Sequence, residues 1–79
     1  MYYEINVLKD GKHLFATDKR SIEFYWDLEK VYRIFEQKFL EYEGYKITVT
    51  KWETRGLAIE DVSAYIEDVG AYIKEEQNN

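Results

Sequence analysis

From Tyr2 to Leu8 the chain alternates with a period of two, placing Tyr3, Ile5 and Val7 on one side and Tyr2, Glu4, Asn6 and Leu8 on the other. Successive side chains of a pleated strand point to opposite faces, so this stretch predicts a strand. Lys9-Asp10-Gly11-Lys12 follows, and its Asp-Gly pair supplies the positive φ that a tight turn requires. His13 to Thr17 resumes an extended pattern, which completes a predicted β-hairpin. The pattern leaves open whether Leu14 and Ala16 or His13 and Phe15 face inward. Ser21 is a good N-cap and Glu23 falls where a negative charge favours a helix dipole, so a helix is expected from about Ile22 to Tyr42, ended by Gly44. On a helical wheel Phe24, Leu28, Val31, Tyr32, Phe35, Phe39 and Tyr42 share one stripe, about 100° wide, that should face the core.

Tyr45 to Trp52 alternates again and is rich in β-branched residues, with Tyr45, Ile47 and Val49 opposed to Thr48, Thr50 and Trp52. Glu53 to Gly56 reads as a connection. Ile59-Glu-Asp-Val-Ser-Ala-Tyr65 is then repeated almost letter for letter as Ile66-Glu-Asp-Val-Gly-Ala-Tyr72. A period of seven is helical, and Ile59, Val62, Ile66, Val69 and Ile73 fall three and four apart along one seam. The tail from Lys74 is expected to fray. The order β-β-α-β-α predicts an α+β fold: a three-stranded antiparallel sheet of order 2-1-3, with both helices on one face. One domain of 79 residues is expected, ordered over about residues 2 to 74.

Length and composition narrow the classes. A chain this short buries only about 60% of the surface its unfolded form exposes, which leaves little room for a cofactor cradle. An apolar fraction of 46% and an aromatic fraction of 18% argue against disorder. The absence of cysteine removes disulfides, thiolate metal sites and thiol catalysis. No apolar run approaches the roughly 20 residues that span a bilayer, and Met1-Tyr2-Tyr3-Glu4 lacks a basic stretch leading into an apolar one, so a cytoplasmic protein without membrane association is expected.

Charge is unevenly placed. Residues 1 to 55 carry ten acids and ten bases, whereas residues 56 to 79 carry six acids against Lys74 alone, and the whole chain has a net charge of −5. A negative field repels phosphodiester backbones and attracts basic protein surfaces, so nucleic acid is a disfavoured partner and a basic protein a favoured one.

Three surfaces are candidates for contact. In the repeat, Glu60 and Glu67 form one ridge and Asp61 and Asp68 the next, an acidic stripe whose members recur about every 10 Å along a helix. Such a stripe could meet a row of Lys or Arg, or serve only as the solvated side of an amphipathic helix. On the first helix Ile22, Trp26 and Leu40 project away from the core stripe together with Arg33, and Trp and Arg are frequent binding anchors. On the open face of the sheet Tyr2, Leu8 and Trp52 would lie together, an aromatic platform on which single-stranded RNA could stack with Lys46 and Lys51 as the nearest bases. The heptad seam could also pair with a second copy, a homodimer that Ile66→Glu would disrupt.

Catalytic chemistry finds little support. His13 is the only histidine and follows a turn, adjacent carboxylates on a helix diverge by about 100°, and the four glycines are isolated. No catalytic residue, cofactor or metal site is expected. The favoured expectation is a small non-enzymatic regulator, adaptor or inhibitor acting through the acidic last helix. Its sharper form is a phage or mobile-element inhibitor that offers carboxylates in place of phosphates to a nucleic-acid-binding defence protein, by analogy of class with anti-CRISPR proteins and with no residues carried over.

Overall fold

The computed structural model describes the backbone of residues 1–77 and the side chains of residues 1–72. Strand β1 (Tyr2–Lys9) turns into β2 (Lys12–Ala16), helix α1 (Tyr25–Lys38) crosses to β3 (Tyr45–Trp52), a short strand β4 (Gly56–Ile59) returns beside it, and helix α2 (Val62–Gln77) closes the chain. The fold is α+β, with one antiparallel sheet and two helices. Its sheet has four strands in the order β2-β1-β3-β4, one more than the alternation predicts.

The hairpin forms as its sequence dictates. Asp10 and Gly11 take φ of 50° and 83°, the paired positive values that match the twist of the flanking strands. The register passes from Val7 opposite Phe15 to Leu8 opposite His13, so Leu14 is the extra residue of a bulge. That bulge resolves the ambiguity of β2. Phe15 lies on the helix side, with its ring against Phe35 and Phe39 at 5.8 and 5.6 Å, while the imidazole of His13 meets the Asn6 side chain at 2.9 Å.

Strand β1 is central and buries Tyr3, Ile5 and Val7, which stand opposite Lys51, Val49 and Ile47 of β3. Leu28 and Tyr32 of α1 and Val62 and Ile66 of α2 pack onto this face, so the core is one cluster between the sheet and both helices. Truncating Leu28 or Ile66, both almost fully buried, to Ala is expected to cost roughly 2–5 kcal/mol in urea unfolding.

Helix α1 is shorter than the wheel implies. Ile22 is buried and pairs with Tyr3 as an isolated bridge, the Tyr3 N–H donating to the Ile22 carbonyl at 2.7 Å, which holds the chain extended up to Phe24. Ser21 caps no helix; its hydroxyl donates to the Asp18 carbonyl in a turn. At the other end Leu40 is extended, Glu41–Glu43 make a single 3-10 turn, and Gly44 closes that turn at φ 96°. A Cβ at Gly44 would collide with the Asp10 carboxylate. The two ends of the expected core stripe are therefore outside: Phe24 and Tyr42 are exposed.

Helix α2 starts three residues later than the repeat suggests. Ile59 belongs to β4, opposite Val49, and Asp61 is the N-cap, its carboxylate accepting the Ala64 N–H at 3.0 Å. The helical backbone extends to Gln77, while the Ile73 side chain and the last two residues of the tail expected to fray, Asn78 and Asn79, lie outside the described residues.

Candidate functional site

Of the acidic stripe, only Glu67 and Asp68 stand on a helix. Glu60 sits in the bend after β4 and Asp61 is occupied in capping, so the two ridges repeating every heptad do not form. The reason is that β4 claims Ile59, which uses the first letters of the repeat to leave the sheet and enter α2. Glu60, Glu67 and Asp68 are nevertheless exposed. Among the described residues the ion pairs are Arg33–Glu36 at 3.0 Å and Lys51–Glu53 at 3.4 Å, and neither involves these carboxylates. Glu67 borders a shallow groove between the helices, facing Tyr25, Glu29 and Arg33 of α1.

Tyr25 fixes the spacing of that groove. Its hydroxyl donates to the Ile66 carbonyl at 2.7 Å and lies 3.2 Å from the Glu29 carboxylate; burial, and then the neighbouring Glu29 carboxylate, raise its pKa. Gly70 makes the approach feasible, because a Cβ there would stand 2.6 Å from the Tyr25 oxygen.

The patch expected on α1 does not assemble as one surface. Ile22 is in the core, and Leu40 lies past the end of the helix and is half-buried. Arg33 is exposed and paired with Glu36. Trp26 is 59% exposed and stacks on Phe24, itself 52% exposed, with ring centroids 4.9 Å apart and planes 4° from parallel. These two rings form a flat apolar plate at the start of α1.

On the open sheet face the register sets Tyr2 beside Trp52, Glu4 beside Thr50, Asn6 beside Thr48 and Leu8 beside Lys46. Tyr2 and Trp52 stack with centroids 6.3 Å apart, and Trp52 lies over Gly56, where a Cβ would come within 2.8 Å of the ring. Leu8 is at the far end of β1, roughly 20 Å from Tyr2. Lys51 stands opposite Tyr3 on the helix side, and Lys46 is at the Leu8 end, so neither base adjoins the aromatic pair. The middle of the face is polar, with Asn6 donating to Glu4 at 3.1 Å. The two bases expected to serve a stacked single strand, Lys46 and Lys51, are therefore not positioned to do so.

Val62 and Ile66, 6% and 2% exposed, pack into the core of their own chain, so this part of the heptad seam is taken up within the chain. A second groove, which the sequence pattern did not reveal, opens between the C-terminal half of α1 and the first half of β3. It encloses about 550 Å³ and is lined by Tyr32, Phe39, Tyr45 and Ile47, with Glu36 and Glu41 at its rim. Burial, and then Glu36, push the Tyr32 phenol toward a higher pKa; Asp61 acts in the same direction. The signal that could have found this groove is the length mismatch between β3, with eight residues, and the four-residue β4 beside it.

Among the described residues no three His, Cys, Asp or Glu side chains converge as metal ligands would, and no helix is long and apolar enough to cross a membrane. Comparison of the chain with protein-family models, with curated proteins and with solved structures gives no match.

Proposed function

We propose that this protein is a small non-enzymatic interaction domain that engages a basic protein partner through the carboxylates on and just before α2. The observation that carries this reading is that Glu60, Glu67 and Asp68 are exposed and without an ion pair among the described residues, on the part of the chain that supplies its net negative charge. Unpaired carboxylates on a framed surface attract Lys and Arg over a Debye length of roughly 10 Å and sharpen the encounter rate with a basic patch. Asp61 contributes its charge but is kept in place as a cap. The exposed Phe24–Trp26 plate at the start of α1 offers a separate apolar anchor, the kind of contact that turns attraction into affinity.

In its sharper form the reading is that of an inhibitor of a nucleic-acid-binding protein, with carboxylates occupying positions that phosphates take. Partner capture tests it. Wild type and a Glu60→Lys, Glu67→Lys, Asp68→Lys variant would each be used to retain proteins from the source cell and from any host. The reading expects wild type to retain a basic, nucleic-acid-handling protein that the variant does not, and that added polyanion releases. Capture that is equal for both proteins contradicts it.

A further inference from the structure

The groove beside β3 ends on main-chain groups that have no partner among the described residues. Strand β4 pairs with Val49 to Trp52 only, so Tyr45 to Thr48 have no strand on that side. The Asp10 N–H donates to the Gly44 carbonyl at 2.9 Å, which fixes the phase of the β1–β3 ladder. In that phase Lys46, Thr48, Thr50 and Trp52 turn their N–H and C=O toward β1, and Tyr45, Ile47, Val49 and Lys51 turn theirs the other way. Val49 and Lys51 find Ile59 and Leu57 of β4. The Tyr45 N–H donates to the Leu40 carbonyl at 3.4 Å. The N–H and C=O of Ile47 and the C=O of Tyr45 are left without a protein partner among the described residues. An edge of this kind is a template for another strand, and here it lies along an apolar groove.

We infer that this open edge of β3 and the groove above it bind an extended segment of a protein partner as a further strand, with one apolar side chain in the groove and basic residues two positions to either side. The inference rests on the reading that the partner is basic, and charge selects this occupant over others. Glu41 and Glu36, the latter already paired with Arg33, line the groove, and the exposed Glu41, without an ion pair among the described residues, carries the free negative charge there. The one base at the groove, Lys46, falls on the opposite sheet face by register, beside Leu8. A strand alternates its side chains, so residues two apart share the groove side: an apolar residue opposite Ile47 meets Tyr32 and Phe39, and its neighbours at two positions' distance meet acids. A second copy of this chain would bring like charges together.

The probe is an acetylated and amidated heptapeptide, Thr-Lys-Thr-Leu-Thr-Lys-Thr, added to the full-length protein. Amide shifts in a nitrogen-15 spectrum locate it, and their dependence on peptide concentration gives Kd. The largest shifts are expected at Ile47 and its strand neighbours. N-methylation of the central Leu, which removes the donor to the Ile47 carbonyl, is expected to raise Kd about tenfold, as is replacement of both Lys by Glu. The Glu41→Lys variant, at an exposed position, is expected to weaken binding several-fold without altering the fold. Shifts centred on Glu67 and Asp68 or on the Phe24–Trp26 plate, indifference to N-methylation, absence of binding at millimolar peptide, or a sedimenting dimer that excludes the peptide would each overturn the inference. None of these touches the broader reading, which stands or falls with the charge-reversal capture.

Discussion

Gly70 and Tyr25 show how much a single atom decides at the helix contact. Replacing Gly by Ala within a helix ordinarily adds about 1 kcal/mol of stability. At position 70 the new methyl would press on a hydroxyl held by the Ile66 carbonyl, so Gly70→Ala is expected to bring no gain or a loss in urea unfolding. Tyr25→Phe alone should cost roughly 1 kcal/mol for the lost hydrogen bond, and in that background Gly70→Ala should regain its normal benefit. Three phenols carry a second prediction at this scale. Tyr3, Tyr25 and Tyr32 have pKa values raised above the usual 10.0, in each case first by burial; for Tyr3 the bond to the Tyr65 hydroxyl at 2.7 Å adds to it. The unfolded chain releases these protons near pH 10 and the folded chain holds them to higher pH, so their contribution is fully present below pH 10 and is lost as pH rises beyond it. Urea midpoints should fall above about pH 10, less steeply in Tyr3→Phe, and phenolate absorbance should show a set of tyrosines that ionise late or only on unfolding. At this scale the core was readable from the letters: Tyr3, Ile5, Val7 and Val49 announce themselves by alternation. Ile22 did not, because its burial depends on a bridge to Tyr3, a partner 19 residues away in sequence (22 − 3 = 19).

The elements were legible where one periodicity ruled a long stretch and obscure where two overlapped. β1 and β3 each run eight residues in strict alternation, and both are present with those bounds to within a residue. β4 is four residues, Gly56-Leu57-Ala58-Ile59, and its last letter also opens a heptad repeat, so helical spacing masked a strand. Repetition was thus a sound guide to α2 from Val62 onward and a false one for Ile59 to Asp61. The acidic stripe was drawn from that false start, which is why half of it falls before the helix. Asp61 tests the revised boundary. As the N-cap it should cost about 1 kcal/mol when changed to Ala and much less when changed to Asn, whereas Glu60→Gln should lie within about 0.5 kcal/mol of wild type. If Glu60 and Asp61 were both solvated helical positions, the two substitutions would be equally mild. For α1 the wheel placed Leu28, Tyr32 and Phe35 rightly and erred at both ends, since Phe24 and Tyr42 lie outside the helix and their positions on an extrapolated wheel have no meaning there.

Across the whole molecule, the sheet separates two environments. On one side both helices cover the central strands; on the other a polar middle lies between the Tyr2–Trp52 stack and Leu8, with Lys46 at the end away from the stack and Lys51 on the helix side. Among the described residues, the acids of the last segment lie in the β4–α2 bend, Glu60 and Asp61, and on α2, Glu67 and Asp68, with Glu67 at the inter-helix groove. The proposal of a basic protein partner rests on this placement more than on the value of the net charge. Net charge was legible in composition; its geometry required knowing that the chain leaves β4 at Ile59. The most direct test is a titration of the captured partner with wild type and with the Glu60→Lys, Glu67→Lys, Asp68→Lys variant over a series of salt concentrations, with Asp61 retained so that both proteins fold alike. Affinity of wild type that falls steadily with salt, together with a loss of a hundredfold or more in the variant at low salt, is the predicted result. Equal affinity of the two proteins, independent of salt, would contradict the account.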